Sequence, residues 1–85
     1  MMYYVYIIKS SKTGDIYIGS TDNLKRRITE HNEGKSYSTK LNIPWYIVYY
    51  EAYKSEEDAR TREHNLKYYG KALGQLKRRI QKCLS

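Results

Sequence analysis

Apolar and aromatic residues fill both alternating faces of the first stretch of the chain. Over residues 2–9, Tyr4, Tyr6 and Ile8 share one face, and Tyr3, Val5 and Ile7 share the other. With neither Gly nor Pro and many β-branched and aromatic residues, this is a strand that needs cover on both sides. Ser10 to Asp15 is a turn cluster, and residues 16–20 read as a second strand antiparallel to the first. Ile16 and Ile18 point one way and Tyr17 the other. Setting Lys9 opposite Gly14 places Tyr6 opposite Tyr17, with Cβ atoms about 5 Å apart. Gly19 reads as a tight turn or a close backbone approach. Residues 23–33 carry a helical stripe of Leu24, Arg27, Ile28 and His31, with Asp22 or Asn23 as cap and Gly34 as stop. Residues 35–40 are a polar loop, and Pro44 biases Ile43 to an extended conformation. Residues 45–53 make a third strand. Ser55-Glu56-Glu57-Asp58 resembles a capping box at the start of a helix over 56–69, whose stripe is Ala59, Arg62, Glu63 and Leu66. Gly70 breaks the run, and residues 71–84 read as a third helix with Leu73, Leu76, Ile80 and Leu84 inside. The expected fold is of the α/β class, α+β type: a three-stranded antiparallel sheet flanked by helices, with residues 1–85 as one domain.

Three residues break this pattern. Arg27, His31 and Glu63 lie on helix sides that should be buried. If both helices pack on the sheet face that carries the tyrosines, then Tyr6, Tyr17, Arg27, His31 and Glu63 line one shallow pocket. Bland alternatives exist for each. Arg27 and Glu63 could form a structural salt bridge. His31 could be a C-terminal helix histidine favoured by the dipole. His64 points off the stripe into solvent, and Cys83 reads as an incidental small apolar residue.

Charge narrows the partner. Sixteen Lys and Arg against nine Asp and Glu give a net charge of +7 on 85 residues, which favours nucleic acid. Lys12, Arg26, Lys35, Lys40 and Lys67, with Tyr37 in the hydroxyl-rich loop, are the candidate nucleic-acid contacts. The basic run Lys71, Lys77, Arg78, Arg79 and Lys82 adds to the same track. The one cysteine allows neither an internal disulfide nor a Cys-based zinc site, in keeping with a reducing cytoplasm. No apolar run is long enough for a transmembrane helix, and Met1-Met2 leads into a strand without a signal-like region. Eleven Tyr stand against one Trp and no Phe, so most tyrosines must serve folding. The misfit set suits phosphodiester hydrolysis, in which a water loses a proton, the charge growing on phosphorus-bound oxygen is offset, and the leaving oxygen is stabilised. A guanidinium matches the phosphate. A lone Glu can hold one water-rich divalent ion. Asp15, Asp22 and Asp58 read as turn or cap residues, so a single-ion site fits better than a two-ion one.

Taken together these residues resemble the GIY-YIG nuclease domain. Tyr4-Val5-Tyr6 stands at its first motif and Tyr17-Ile18-Gly19 at its second. Leu24-x-x-Arg27-x-x-x-His31 is similar to the helix that follows, and Ala59-x-x-x-Glu63-x-x-Leu66-Lys67 to the later helix. The resemblance spans about residues 3–69. It implies that Tyr6 or Tyr17 deprotonates or positions the attacking water, and that Arg27 binds the scissile phosphate. It further implies that His31 assists by hydrogen bonding or proton transfer, and that Glu63 is the sole protein ligand of a Mg²⁺ or Mn²⁺ ion, one per site. Two departures stand out. Tyr4 and Val5 replace the usual Gly and Ile, and no Asn occurs between Tyr68 and Ser85, where several members carry one. Tyr37 stands near a loop His or Tyr of the family. The reading is a DNA endonuclease with structure-directed or single-strand recognition, single-stranded or branched DNA as its substrate and RNA left open, and specificity drawn from the domain itself, a homodimer or a protein partner. A nucleic-acid-binding module without turnover is the alternative.

Overall fold

The computed structural model describes residues 1–85. Strand β1 (Tyr3–Ser10) lies between β2 (Ile16–Thr21) and β3 (Trp45–Tyr53), both antiparallel to it. Its central place explains why both of its faces are apolar. On one face Val5 and Ile7 meet Ile18 of β2, Ala59 and Leu66 of α2 (Glu56–Tyr68), and Leu76 and Ile80 at the C-terminal end. On the other, Tyr6 and Ile8 meet Trp45, with Tyr17, Leu24, Ile28 and Ile43 packed around them. Leu24 and Ile28 belong to α1 (Leu24–Asn32), which covers this second face. The two helices that supply the misfit residues therefore lie on opposite faces of the sheet, not on the tyrosine-bearing face together.

The local cues act much as read. Asn23 caps α1 by accepting from the Arg26 N–H, and Ser55 caps α2 by accepting from the Asp58 N–H. Several details differ. Tyr6 pairs with Gly19, and Ile8 pairs with Tyr17, so the two tyrosines are diagonal neighbours on one face. Gly19 is not a turn: β2 continues through it to Thr21. The break after α2 falls at Tyr69, and Gly70 opens α3 (Gly70–Arg79). Ile80 turns inward at that helix's end, so a short α4 (Gln81–Leu84) replaces the last turn of the expected long helix.

A polar network ties α2 to β3. Glu51 accepts hydrogen bonds from the Tyr49 and Tyr53 hydroxyls, each at 2.5 Å, and from Arg62 Nε and Nη2 at 2.9 and 3.1 Å. Burial alone would raise the Glu51 carboxyl, but Arg62 and the two phenols outweigh it and hold it below its ordinary value. The same burial, together with the bond to Glu51, pushes Tyr49 and Tyr53 up to about 12. Arg62 thus has a structural partner, which separates it from its stripe neighbour Glu63.

Candidate active site

The Tyr6 side chain lies across β2 against Gly19. A Cβ on Gly19 would stand 2.3 Å from the Tyr6 hydroxyl and 2.5 Å from its ring carbon Cζ. Glycine is required here by the phenol, not by a turn. The same hydroxyl lies 2.8 Å from Nε2 of His31, which is fully buried. His31 Nδ1 lies 2.7 Å from Thr39 Oγ1. One assignment of protons satisfies the whole chain of contacts: Tyr6 donates to Nε2, Nδ1–H donates to Thr39, and Thr39 faces the Ser36 carbonyl at 3.5 Å. Burial, with the nearby Arg27 charge, lowers His31 to about 4, so it is neutral at pH 7. A neutral imidazole gains nothing from a helix dipole, which removes that explanation for His31. Burial likewise pushes Tyr6 up to about 12 against the opposing pull of Arg27.

The loop after α1 is built around this histidine. Thr39 is fully buried, and its carbonyl accepts from Trp45 Nε1 at 2.8 Å. Asn32, from the last turn of α1, bonds the Trp45 backbone twice, at 2.9 and 2.6 Å. Residues 35–40, the polar loop, are therefore anchored at one end. Tyr17 stacks edge-on with His31 at 5.4 Å and with Trp45 at 6.5 Å between ring centres, and its hydroxyl makes no bond within the protein.

Arg27 projects from α1 close enough for its charge to oppose the rise of the Tyr6 phenol, and its Nη1 donates to Glu30 Oε1 at 3.1 Å. It forms no salt bridge with Glu63, so the closed pair that would fill the site is not made. Glu63 comes from the other face of the sheet. It reaches the edge strand at Ser20, whose hydroxyl donates to its Oε1 at 2.6 Å. Its Oε2 pairs with Lys67 Nζ at 2.8 Å, and the same ammonium sits 5.4 Å from the Tyr17 ring centre. That pairing raises Lys67 above its ordinary value despite partial burial. Ser20 is the meeting point: a groove of about 460 Å³ holding Thr21, Arg27 and Arg60 lies on one side of it, and Glu63 on the other.

The structure thus brings Tyr6, Tyr17, Arg27 and His31 together on one face, with Glu63 arriving around the edge. The basic candidates scatter more. Arg26 pairs with Asp22 at 2.8 Å beside Arg27. Lys35 pairs with Glu33, and Lys40 lies over the Tyr37 ring at 4.7 Å. Lys12 bonds the Leu41 carbonyl at the hairpin end of the sheet. From there to Thr21 the strand covers about 17 Å. Sequence reasoning missed Ser20, Thr39 and Glu30. Alternation puts Ser20 on the Ile16–Ile18 face, where α2 packs, so it was findable once α2 was placed. Thr39 carries no periodic signal.

Comparison with known proteins agrees with this architecture. The profile of the GIY-YIG catalytic domain matches residues 2–68. The chain belongs to the GIY-YIG family, and a nuclease-type function acting on nucleic acid follows from that membership. It is 39% identical over 70 residues to the UPF0213 protein SH2523 of Staphylococcus haemolyticus, covering 81% of this chain and 84% of that one. It is 35% identical over 68 residues to the UPF0213 protein SA0446 of Staphylococcus aureus, covering 79% and 82%. The solution NMR structure of the UPF0213 protein BH0048 from Bacillus halodurans matches with a TM-score of 0.54 at 33% identity, covering 91% of this chain and 86% of that one. No helix is long and apolar enough to cross a membrane.

Members of this family generally depend on a divalent metal. No three His, Cys, Asp or Glu side chains converge anywhere in the chain, and Glu63 is a carboxylate that could hold such an ion singly. One carboxylate, held at a groove by Ser20, fits an ion that keeps most of its shell as water and substrate oxygen.

Proposed function

We propose that this chain is a divalent-metal-dependent DNA endonuclease that hydrolyses phosphodiester bonds, with Glu63 as the ligand of one Mg²⁺ or Mn²⁺. Residues 1–85 act as one unit, in the reducing cytoplasm that its cysteine usage fits. The reading rests above all on the buried Tyr6–His31 pair set beside Arg27, with the groove-lining carboxylate of Glu63 across Ser20. When bound, the ion would supply Lewis-acid stabilisation of the phosphate.

The protein's own groups divide the remaining work. Burial pushes Tyr6 up to about 12 and His31 down to about 4, so both groups of the resting pair stay neutral and no proton passes between them. The pair instead fixes a hydroxyl. Tyr6 donates to His31 and turns its lone pairs toward an incoming water. Tyr17, with its hydroxyl bonded to nothing in the protein, would act on that water as a phenolate, its own proton having first left to solvent. Arg27 binds the phosphate and offsets the charge that grows on it. His31 is a positioning residue. Lys12, Arg26, Lys35, Tyr37, Lys40 and Lys67 contact the flanking strand.

Nicking of labelled single-stranded, branched and duplex DNA with Mg²⁺ or Mn²⁺ tests the assignment. Wild type should cut, and Glu63→Gln should lose activity by at least about a hundredfold. Equal cutting by the two proteins sinks the reading. One observation favours a second one: Lys67 already occupies Oε2 of Glu63. A binding module without turnover would bind DNA in a salt-dependent way and never cut it.

A further inference from the structure

The C-terminal half of α2 carries aromatic rings that folding does not use. Tyr68 is 70% exposed and Tyr69 58% exposed. Both gather on His64, which is itself exposed, with ring centres 4.8 and 6.0 Å away. His64 and Tyr68 are one helical turn apart, and such a pair steadies a helix by only a few tenths of a kcal/mol. That accounts for two rings touching. It does not account for three aromatic rings left in water on a small domain that needs its apolar surface for the core.

Their position is informative. Ser20, Arg60, Glu63, His64, Lys67 and Tyr68 line one groove of about 340 Å³. The aromatic cluster therefore shares its walls with the candidate metal carboxylate and with two cations. Rings beside cations match a strand whose phosphates and bases are both available. A duplex hides the faces of its bases in the stack, whereas an unpaired strand offers them.

We infer that His64 and Tyr68, backed by Tyr69, form a stacking subsite for an unpaired DNA base next to the scissile phosphate. Arg60 and Lys67 hold the adjoining phosphates. This rests on the nucleic-acid reading of the same groove, and it narrows the substrate to DNA with an unpaired nucleotide at the cut. Stacking tolerates any base, so the subsite selects strand structure and not sequence.

Equilibrium binding in EDTA tests this apart from turnover. The probes are a labelled single-stranded oligonucleotide, an abasic phosphodiester strand of the same length, and a blunt duplex. Wild type should prefer the base-bearing strand over the abasic one by roughly tenfold or more. Tyr68→Ala and His64→Ala should bring that preference toward parity while leaving abasic and duplex binding unchanged. Tyr68→Phe, which keeps the ring, should retain it. Equal wild-type binding of the base-bearing and abasic strands overturns the subsite and leaves the nuclease reading standing. So does an equal loss on all three probes in Tyr68→Ala. Binding to none of them removes both.

Discussion

His31 shows how one side chain can carry both fold and chemistry. Its folded value is about 4, against 6.5 for a free imidazole. Between those values the unfolded chain binds a proton that the fold excludes. Stability therefore rises with pH across that window and is lost as pH falls from 6.5 toward 4, by about 3 kcal/mol in full. Urea unfolding at pH 7 and at pH 4.5 should show this slope in wild type. In His31→Gln the slope should be nearly gone, on top of a lower stability at pH 7. An unchanged acid slope in the variant means that His31 is not the neutral buried group described. At the same scale, the adjacent arginines have different fates. Arg26 lies exposed on Asp22, whereas Arg27 is half-buried beside Tyr6. Arg27→Ala should lower the cleavage rate by roughly a hundredfold to a thousandfold. Arg26→Ala should change binding several-fold and leave the rate of the bound complex alone. Single-turnover cleavage measures the two effects separately.

Among the elements, β2 is the one that sequence reading half understood. Gly19 was legible as a position demanding glycine, but the cause lies 13 residues earlier in the chain, in the Tyr6 phenol resting on it. Gly19→Ala must displace that phenol from His31. It should cost about 1–3 kcal/mol in thermal or urea unfolding and should also abolish measurable cutting. Gly74, inside α3 with nothing within 4 Å of an added Cβ, is the contrast. Gly74→Ala should raise stability by about 0.5–1 kcal/mol and leave cutting unchanged. The strands, the caps at Asn23 and Ser55, and the misfit stripe were readable because each depends on neighbours within a few residues. The hairpin register was not, since the turn residues admit more than one pairing. The face on which α2 packs was not readable either, because alternation along β1 gave both faces apolar residues and therefore no preference. That choice decides how Glu63 meets Arg27: around the edge of the sheet, through Ser20, and not across its surface. Thr39 escaped notice because a buried polar residue in a loop leaves no periodic trace.

At the scale of the whole molecule, charge placement matters more than the total of +7. Five of the sixteen Lys and Arg lie on the C-terminal helices, and α4 packs against β3 and the hairpin end of the sheet, away from the Ser20 end of β2. If binding were set by net charge alone, neutralising any exposed lysine would weaken it equally. If the β2 edge is the track, position decides. Each phosphate contact contributes about 0.7–0.9 to the slope of log affinity against log salt concentration. Arg60→Gln and Lys67→Gln should therefore each reduce that slope by a little under one. Lys82→Gln on α4 should leave it unchanged, although it removes the same charge. Fluorescence anisotropy with a single-stranded DNA probe across a salt series, with metal chelated, makes the comparison. Equal slope changes in all three variants would mean that the strand wraps the molecule without a defined path. It would then have no fixed route past Ser20, where the phosphate-binding Arg27 and the carboxylate of Glu63 have to meet the same phosphodiester.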